Sequence, residues 1–233
     1  IFTGLFKPKS EVPGTDFAGQ IEEVGNAVSN FKVGDRVWGL NDIGLSSQAE
    51  YMVIKANQAI SVIPENTSFK EAVACAEGGH YAYNFLNNVN INQDTKVLVN
   101  GATGAIGAYL VQLLSEKGAQ VTAVGNTENI TLIKSLGASK TIDYLLEDFT
   151  KDNEKYHYIF DAVGKSSFYK CKHLLLPKGI YKSSELGAYA QNIYLPLWTK
   201  LFSSQRVIFP IPKKPKRTIQ YLTDLLERNE LKA

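Results

Sequence analysis

Cysteine is scarce in this chain. Cys75 and Cys171 are the only two among 233 residues, and they form no metal-spaced pair. That excludes a disulfide-stapled scaffold and makes a reducing, cytoplasmic setting the expectation. Excess charge of one sign is also lacking: 25 Lys and Arg against 23 Asp and Glu leave a formal +2. So small a surplus argues against electrostatic capture of nucleic acid. No apolar run approaches the ~20 residues that span a bilayer, so no membrane span is expected. Internal repeats and low-complexity tracts are missing too. No secretory leader is expected. Both ends are expected to be cut from a longer protein, because Ile1 stands where a Met would and Ala233 follows directly on a helical pattern.

What is present is ordinary globular material. Hydrophobic residues make up 44% and aromatics 11%, which excludes disorder. A chain of this length buries roughly 70% of its unfolded surface. It can form one large domain or two modest ones.

Residues 1 to about 72 read as short strands between turn signals: Phe17 to Val24, Arg36 to Leu40, Glu50 to Ile54 and Ala59 to Ile63. That spacing predicts a small barrel or sandwich. Ser68 with Glu71 three residues on has the form of a capping box, opening a helical stretch to about Asn87. Strands and helices then alternate. The strands are Lys96 to Asn100, Gln120 to Val124, Thr141 to Asp143 and Tyr158 to Val163, with Gly179 to Tyr181 and Val207 to Phe209 as further candidates. Helices are expected over Ala105 to Lys117, Glu128 to Leu136 and Thr218 to Glu230. Such alternation predicts an α/β fold with a doubly wound parallel sheet. Tyr194 to Phe202 reads as an apolar loop that lines a substrate cleft or meets a partner subunit. The basic run Lys213 to Arg217 reads as a solvated loop.

The most informative stretch is Val97-Leu98-Val99-Asn100-Gly101-Ala102-Thr103-Gly104-Ala105-Ile106-Gly107. A strand, a glycine-rich turn and a helix follow in that order. Ala102, Gly104 and Gly107 take the three small positions of the dinucleotide fingerprint: a tight turn, a close approach of pyrophosphate, and tight helix packing. The helix start then faces an anion with its N–H groups and dipole. At the end of the second strand, a carboxylate would hold a ribose 2′-hydroxyl and repel a 2′-phosphate. Val124-Gly125-Asn126-Thr127 is neutral there, which points to NADP(H). Asn126 and Thr127 can equally cap the next helix.

Those residues occur together with Val12-Pro13-Gly14-Thr15-Asp16-Phe17-Ala18-Gly19, Val33-Gly34-Asp35-Arg36-Val37-Trp38-Gly39, Leu136-Gly137-Ala138, Ile142-Asp143-Tyr144 and Phe160-Asp161-Ala162-Val163-Gly164. In this set the chain resembles the medium-chain dehydrogenase/reductase superfamily, and more narrowly its zinc-independent quinone oxidoreductase branch. The resemblance implies a partial GroES-like β domain over residues 1–72 and a Rossmann domain over 73–233, with the active site in the cleft between them. It implies longer family members at both ends. It also implies that Ala102, Thr103, Gly104, Ala105, Ile106 and Gly107 wrap a pyrophosphate, and that Gly125, Asn126, Thr127 and Tyr144 surround the adenosine ribose and its 2′-phosphate. Val163, Ser183 and Ser184 would approach the nicotinamide side. Tyr144 and Val163 have plain packing roles as alternatives.

Departures from the family pattern carry information. Zinc-dependent relatives have Gly-His-Glu where this chain has Gly14-Thr15-Asp16, and Thr15 is no imidazole ligand; no metal is expected. Asn129 stands where many relatives place a Lys for the 2′-phosphate. Gly79-His80-Tyr81-Ala82 replaces a Gly-Leu-Thr-Ala type junction, making Tyr81 a candidate proton source and His80 a core residue in the plainer reading. The implied activity is hydride transfer from NADPH to a small electrophilic acceptor, a quinone or an α,β-unsaturated carbonyl. An enoyl-thioester reductase and a non-catalytic NADP(H)-sensing protein are the alternatives. A homodimer is implied at family level.

Overall fold

The computed structural model describes residues 11–42 and 46–233. The first ten residues of the expected 1–72 domain lie outside the described residues. Strands β1 (Asp16–Gln20), β2 (Arg36–Leu40) and β3 (Ala59–Val62) come first, then helices α1 (Phe69–Ala74) and α2 (Ala76–Phe85). Next come β4 (Lys96–Asn100), α3 (Ala105–Glu116), β5 (Gln120–Gly125), α4 (Ile130–Ser135) and β6 (Lys140–Asp143). Strand β7 (Tyr156–Asp161), helix α5 (Phe168–Cys171), strand β8 (Leu175–Ser183), helix α6 (Gln191–Phe202), strand β9 (Arg206–Val207) and helix α7 (Pro215–Glu227) complete the order. Among the described residues no helix is long and apolar enough to cross a membrane.

Contacts divide the chain into two compact units, residues 1–80 with 213–233, and residues 81–212. In the first unit β1, β2 and β3 form an antiparallel sheet in that order, with Asp16 opposite Leu40 and Val37 opposite Val62. Phe17, Val37 and Ile60 make its core, with Ile21, Phe31, Met52 and Ile54 packed against them. The segment Glu50 to Ile54 was expected to be a strand and is not one. Its alternation is real, since Met52 and Ile54 point inward while Tyr51 and Val53 are exposed. Among the described residues the segment joins no ladder, and periodicity alone does not reveal that.

Ser68 caps α1 as expected: its hydroxyl accepts from the Glu71 N–H, and the Glu71 carboxylate accepts from the Ser68 N–H at 2.8 Å. The long helical stretch breaks at Cys75 into α1 and α2. Helix α7 groups with this unit, although the sequence reading ran the second domain through to residue 233. The reason is packing. Ile219, Leu222 and Leu225 are fully buried, the helix packs on β3, and the Trp38 indole donates to the Thr223 hydroxyl at 3.2 Å. A three-stranded sheet needs such a cover for its apolar face.

The second unit is a six-stranded parallel sheet in the order β6-β5-β4-β7-β8-β9. The order reverses between β4 and β7, so the carboxyl ends of these two strands flank the crevice where open α/β sheets bind ligands. Val97, Leu98 and Val99 have no exposed surface, as expected of a central strand covered on both faces. Helix α4 is shorter than expected, because residues 127–129 form a 3-10 turn before it. The largest difference is α6, which replaces the apolar loop expected over Tyr194 to Phe202. Pro196 lies inside it and removes one helical hydrogen bond. Leu195 and Thr199, one turn apart, are buried and anchor the helix. The Thr199 hydroxyl donates to the Leu195 carbonyl at 2.8 Å and accepts from the Val207 N–H at 3.0 Å.

Candidate functional site at the carboxyl ends of the parallel strands

The turn after β4 is shaped by two glycines. Gly101 adopts a left-handed φ of +82°, and a Cβ there would lie 2.7 Å from the Val163 side chain. A Cβ on Gly107 would lie 2.0 Å from the Gly101 carbonyl oxygen. Only glycine lets the first turn of α3 pass this close to the strand end. The sequence reading gave the tight turn to Ala102; the left-handed backbone falls one residue earlier. Ala102 is instead buried, and its N–H donates to the Val124 carbonyl at 3.0 Å, tying the turn to β5.

Gly104 is the N-cap of α3 and offers no side-chain cap. The first N–H groups of a helix have no partner within it. Thr103, Gly104 and Ala105 are exposed, Ile106 is half-buried and Gly107 buried. The result is a backbone cradle with the positive end of a twelve-residue helix behind it, suited to an anion. A dinucleotide's pyrophosphate fits on two counts. Side chains at 101 and 107 would collide with Val163 and the Gly101 carbonyl, so the turn stays bare backbone packed against the strand end, and the first turn of α3 offers N–H donors to an anion.

The second strand end lies beside the first. Gly125 closes β5, where a Cβ would fall 3.1 Å from the Thr103 side chain. Its carbonyl accepts from the Tyr144 N–H at 3.0 Å. Asn126 and Thr127 follow; the Asn129 amide donates to the Asn126 side-chain oxygen at 2.7 Å. Neither Asn126 nor Asn129 makes a side-chain cap to its own helical turn. The Thr127 hydroxyl donates to the Asp143 carboxylate. The Tyr144 side chain is largely exposed. These predicted residues converge, and Asp143, within the triplet quoted for Tyr144, joins them unannounced.

The carboxyl end of β7 is organised by Asp161, which has no exposed surface. Its carboxylate accepts from the Asn100 amide, the Gly164 N–H, the Ser166 N–H and the Tyr181 hydroxyl, each at 3.0 Å. Those bonds hold the 162–166 turn, which seats Val163 against Gly101 with its side chain partly exposed. Burial, then the Asp161 charge, pushes the Tyr181 phenol well above its usual range. Ser183 ends β8, buried, and pairs in register with Asp161. The Ser184 hydroxyl is buried without a hydrogen-bond partner among the described residues. Lys182 points to the other face, where its ammonium donates to the Phe85 and Asn87 carbonyls at 2.7 and 2.5 Å. Burial pushes its pKa down to about 8, while those carbonyls at the end of α2 favour the charged form. Nothing in the sequence marked this lysine as buried.

Tyr81 is half-buried on α2. His80 is buried, and that burial lowers its pKa against the opposing charge of Asp42. Among the described residues no group of three His, Cys, Asp or Glu side chains converges as a metal site. The hollow of about 500 Å³ between α6 and residues 206–211 is lined by none of the predicted site residues.

Comparison with known proteins agrees with this fold. The profile of the alcohol dehydrogenase GroES-like domain matches residues 1–65. A chloroplastic quinone-oxidoreductase homolog of Spinacia oleracea is 28% identical over 235 residues, covering 95% of this chain and 70% of the relative. The solved quinone oxidoreductase of Coxiella burnetii is 25% identical with a TM-score of 0.81, covering 94% of this chain and 68% of that one. The chain belongs to the medium-chain dehydrogenase/reductase superfamily. A further superfamily structure, the Escherichia coli quinone oxidoreductase complexed with NADPH, shares the fold at 22% identity and a TM-score of 0.77, covering 98% of this chain and 74% of that one. The chain spans about half the length of several curated relatives that it matches.

Proposed function

We propose that this chain is an NAD(P)H-dependent reductase that passes hydride to a quinone or an α,β-unsaturated carbonyl without zinc. The observation that carries the reading is the turn at Gly101 to Gly107, where two obligatory glycines let the start of α3 close on the end of β4, and the uncapped helix start at the exposed residues 103–105 presents backbone N–H groups to a pyrophosphate. A bound dinucleotide would supply the hydride. Thr103, Gly104, Ala105 and Ile106 face its diphosphate, and the buried Ala102 and Gly107 shape the turn beneath it. Gly125, Asn126, Thr127 and Tyr144 surround the adenosine ribose, and Val163 and Ser183 border the nicotinamide. The finer assignment, NADP(H), rests on the neutral end of β5.

Thr15 offers no imidazole for a metal, so the acceptor must already be electrophilic. The protein's contribution is then proximity, orientation and exclusion of water. Tyr81 is the proposed proton source. Buried thiols at Cys75 and Cys171 support a cytoplasmic setting. A second copy of the chain is the proposed partner, on the apolar outer face of α6.

The test is loss of the reduced-nicotinamide absorbance with a panel of quinones, enones and enoyl thioesters. Turnover with quinones or enones is expected. Turnover confined to enoyl thioesters would assign the other reductase class. Tight NADPH binding without turnover would make the chain a sensor. Stoichiometric zinc in active protein would overturn the metal-free route.

A further inference from the structure

The adenosine end of the cradle contains a carboxylate that the end of β5 lacks. Asp143 closes β6, in parallel register with Gly125, and is only 9% exposed. One of its oxygens accepts from the Leu145 N–H at 3.0 Å, and the other accepts from the Thr127 hydroxyl. Thr127 itself is exposed, at the place where a dinucleotide fold meets the ribose 2′ position. A hydroxyl has one proton and two lone pairs. Here the proton is committed inward to Asp143, so Thr127 presents only lone pairs outward. Lone pairs receive a ribose 2′-hydroxyl well and meet a phosphate oxygen badly. Asn129, at the next turn, brings no positive charge to offset this.

We infer that Asp143, acting through the Thr127 hydroxyl, sets which ribose the adenosine end accepts, favouring a free 2′-hydroxyl and holding back a 2′-phosphate. The neutral β5 end sets no charge against the phosphate, and the β6 carboxylate restrains it. The preference for NADP(H) is therefore weaker than the neutral β5 end alone would make it, and Asp143 is a positioning residue for the choice. This inference rests on the dinucleotide reading above.

Asp143→Asn tests it with little change of shape. The amide oxygen still accepts from Leu145. The amide nitrogen now donates to the Thr127 oxygen, which frees the hydroxyl proton to point outward. Binding of ADP-ribose and 2′-phospho-ADP-ribose is measured by titration calorimetry on the full chain, so that the nicotinamide and its chemistry play no part. Asp143→Asn is expected to raise the affinity ratio toward the 2′-phospho ligand about tenfold, the scale of one charge-assisted hydrogen bond. Thr127→Val, at an exposed position, is expected to weaken ADP-ribose about three- to tenfold through loss of one acceptor. It should tighten the 2′-phospho ligand modestly, because the lone pairs that oppose a phosphate oxygen are gone. Glu128→Gln removes an equal charge from the exposed neighbour without touching the pair, and should shift the ratio little. A ratio unchanged in Asp143→Asn, or shifted as much by Glu128→Gln, overturns the inference while leaving dinucleotide binding intact. Failure of wild-type chain to bind either ligand overturns both.

Discussion

Asp16 opens β1 near two other carboxylates, Asp42 and Glu77. Burial, then the charge of Glu77, pushes its carboxyl up from 3.8 to about 6, although the Glu77 N–H and the Thr15 hydroxyl oppose the shift. The native state therefore holds this proton more tightly than the unfolded chain does. On this group's account, stability falls as pH rises from 3.8 to about 6 and stays low above. Asp16→Asn should melt at a higher temperature than wild type at pH 8, and thermal scans should show the gap closing toward pH 4. A gap independent of pH would refute the assignment. Single residues of this kind were only partly legible. Gly104 and Gly107 announced themselves through spacing. Asp143 and Asp161 sat in recognisable triplets, but their bonds to Thr127, Asn100, Ser166 and Tyr181 cross between strands and loops.

Among the elements, α6 shows how local signals fail. Pro196 and a run of apolar residues read as loop, yet Thr199 holds the helix to β9 through its hydroxyl. Thr199→Val keeps the shape and leaves the Val207 N–H buried without that acceptor. It should destabilise the chain by ~1–3 kcal/mol, and hydrogen exchange at Val207 should accelerate relative to β4. Unaltered exchange would show that the hydroxyl does not hold β9. Elements with strong local codes were legible instead. The Ser68–Glu71 capping box fixed the start of α1, and the run Val97–Val99 fixed β4. In both, the deciding interactions lie within a few residues or follow from burial on two faces. Glu50 to Ile54 had the right alternation but, among the described residues, no ladder partner, a fact that only neighbouring chain can supply.

The assembled molecule leaves apolar surface uncovered on the outside of α6: Ile193, Leu197, Leu201 and Phe202 are each more than half exposed. Strand β9 is the adjoining edge of the sheet. Patches of this kind mark interfaces, and the proposed occupant is a second copy of the chain. Sedimentation velocity should give twice the chain mass for wild type and a monomer for Leu197→Glu with Leu201→Glu; a wild-type monomer would reject the dimer. The amino-acid sequence by itself determined the phosphate turn, the strand–helix alternation and the superfamily, because each is written in residues close together along the chain. Tertiary structure alone decided that α7 covers the antiparallel sheet, that Lys182 caps α2 from a buried strand, and that the Thr127 proton is spent on Asp143. Those outcomes join segments far apart in the chain, and what decides them is which apolar faces and polar groups must leave water together.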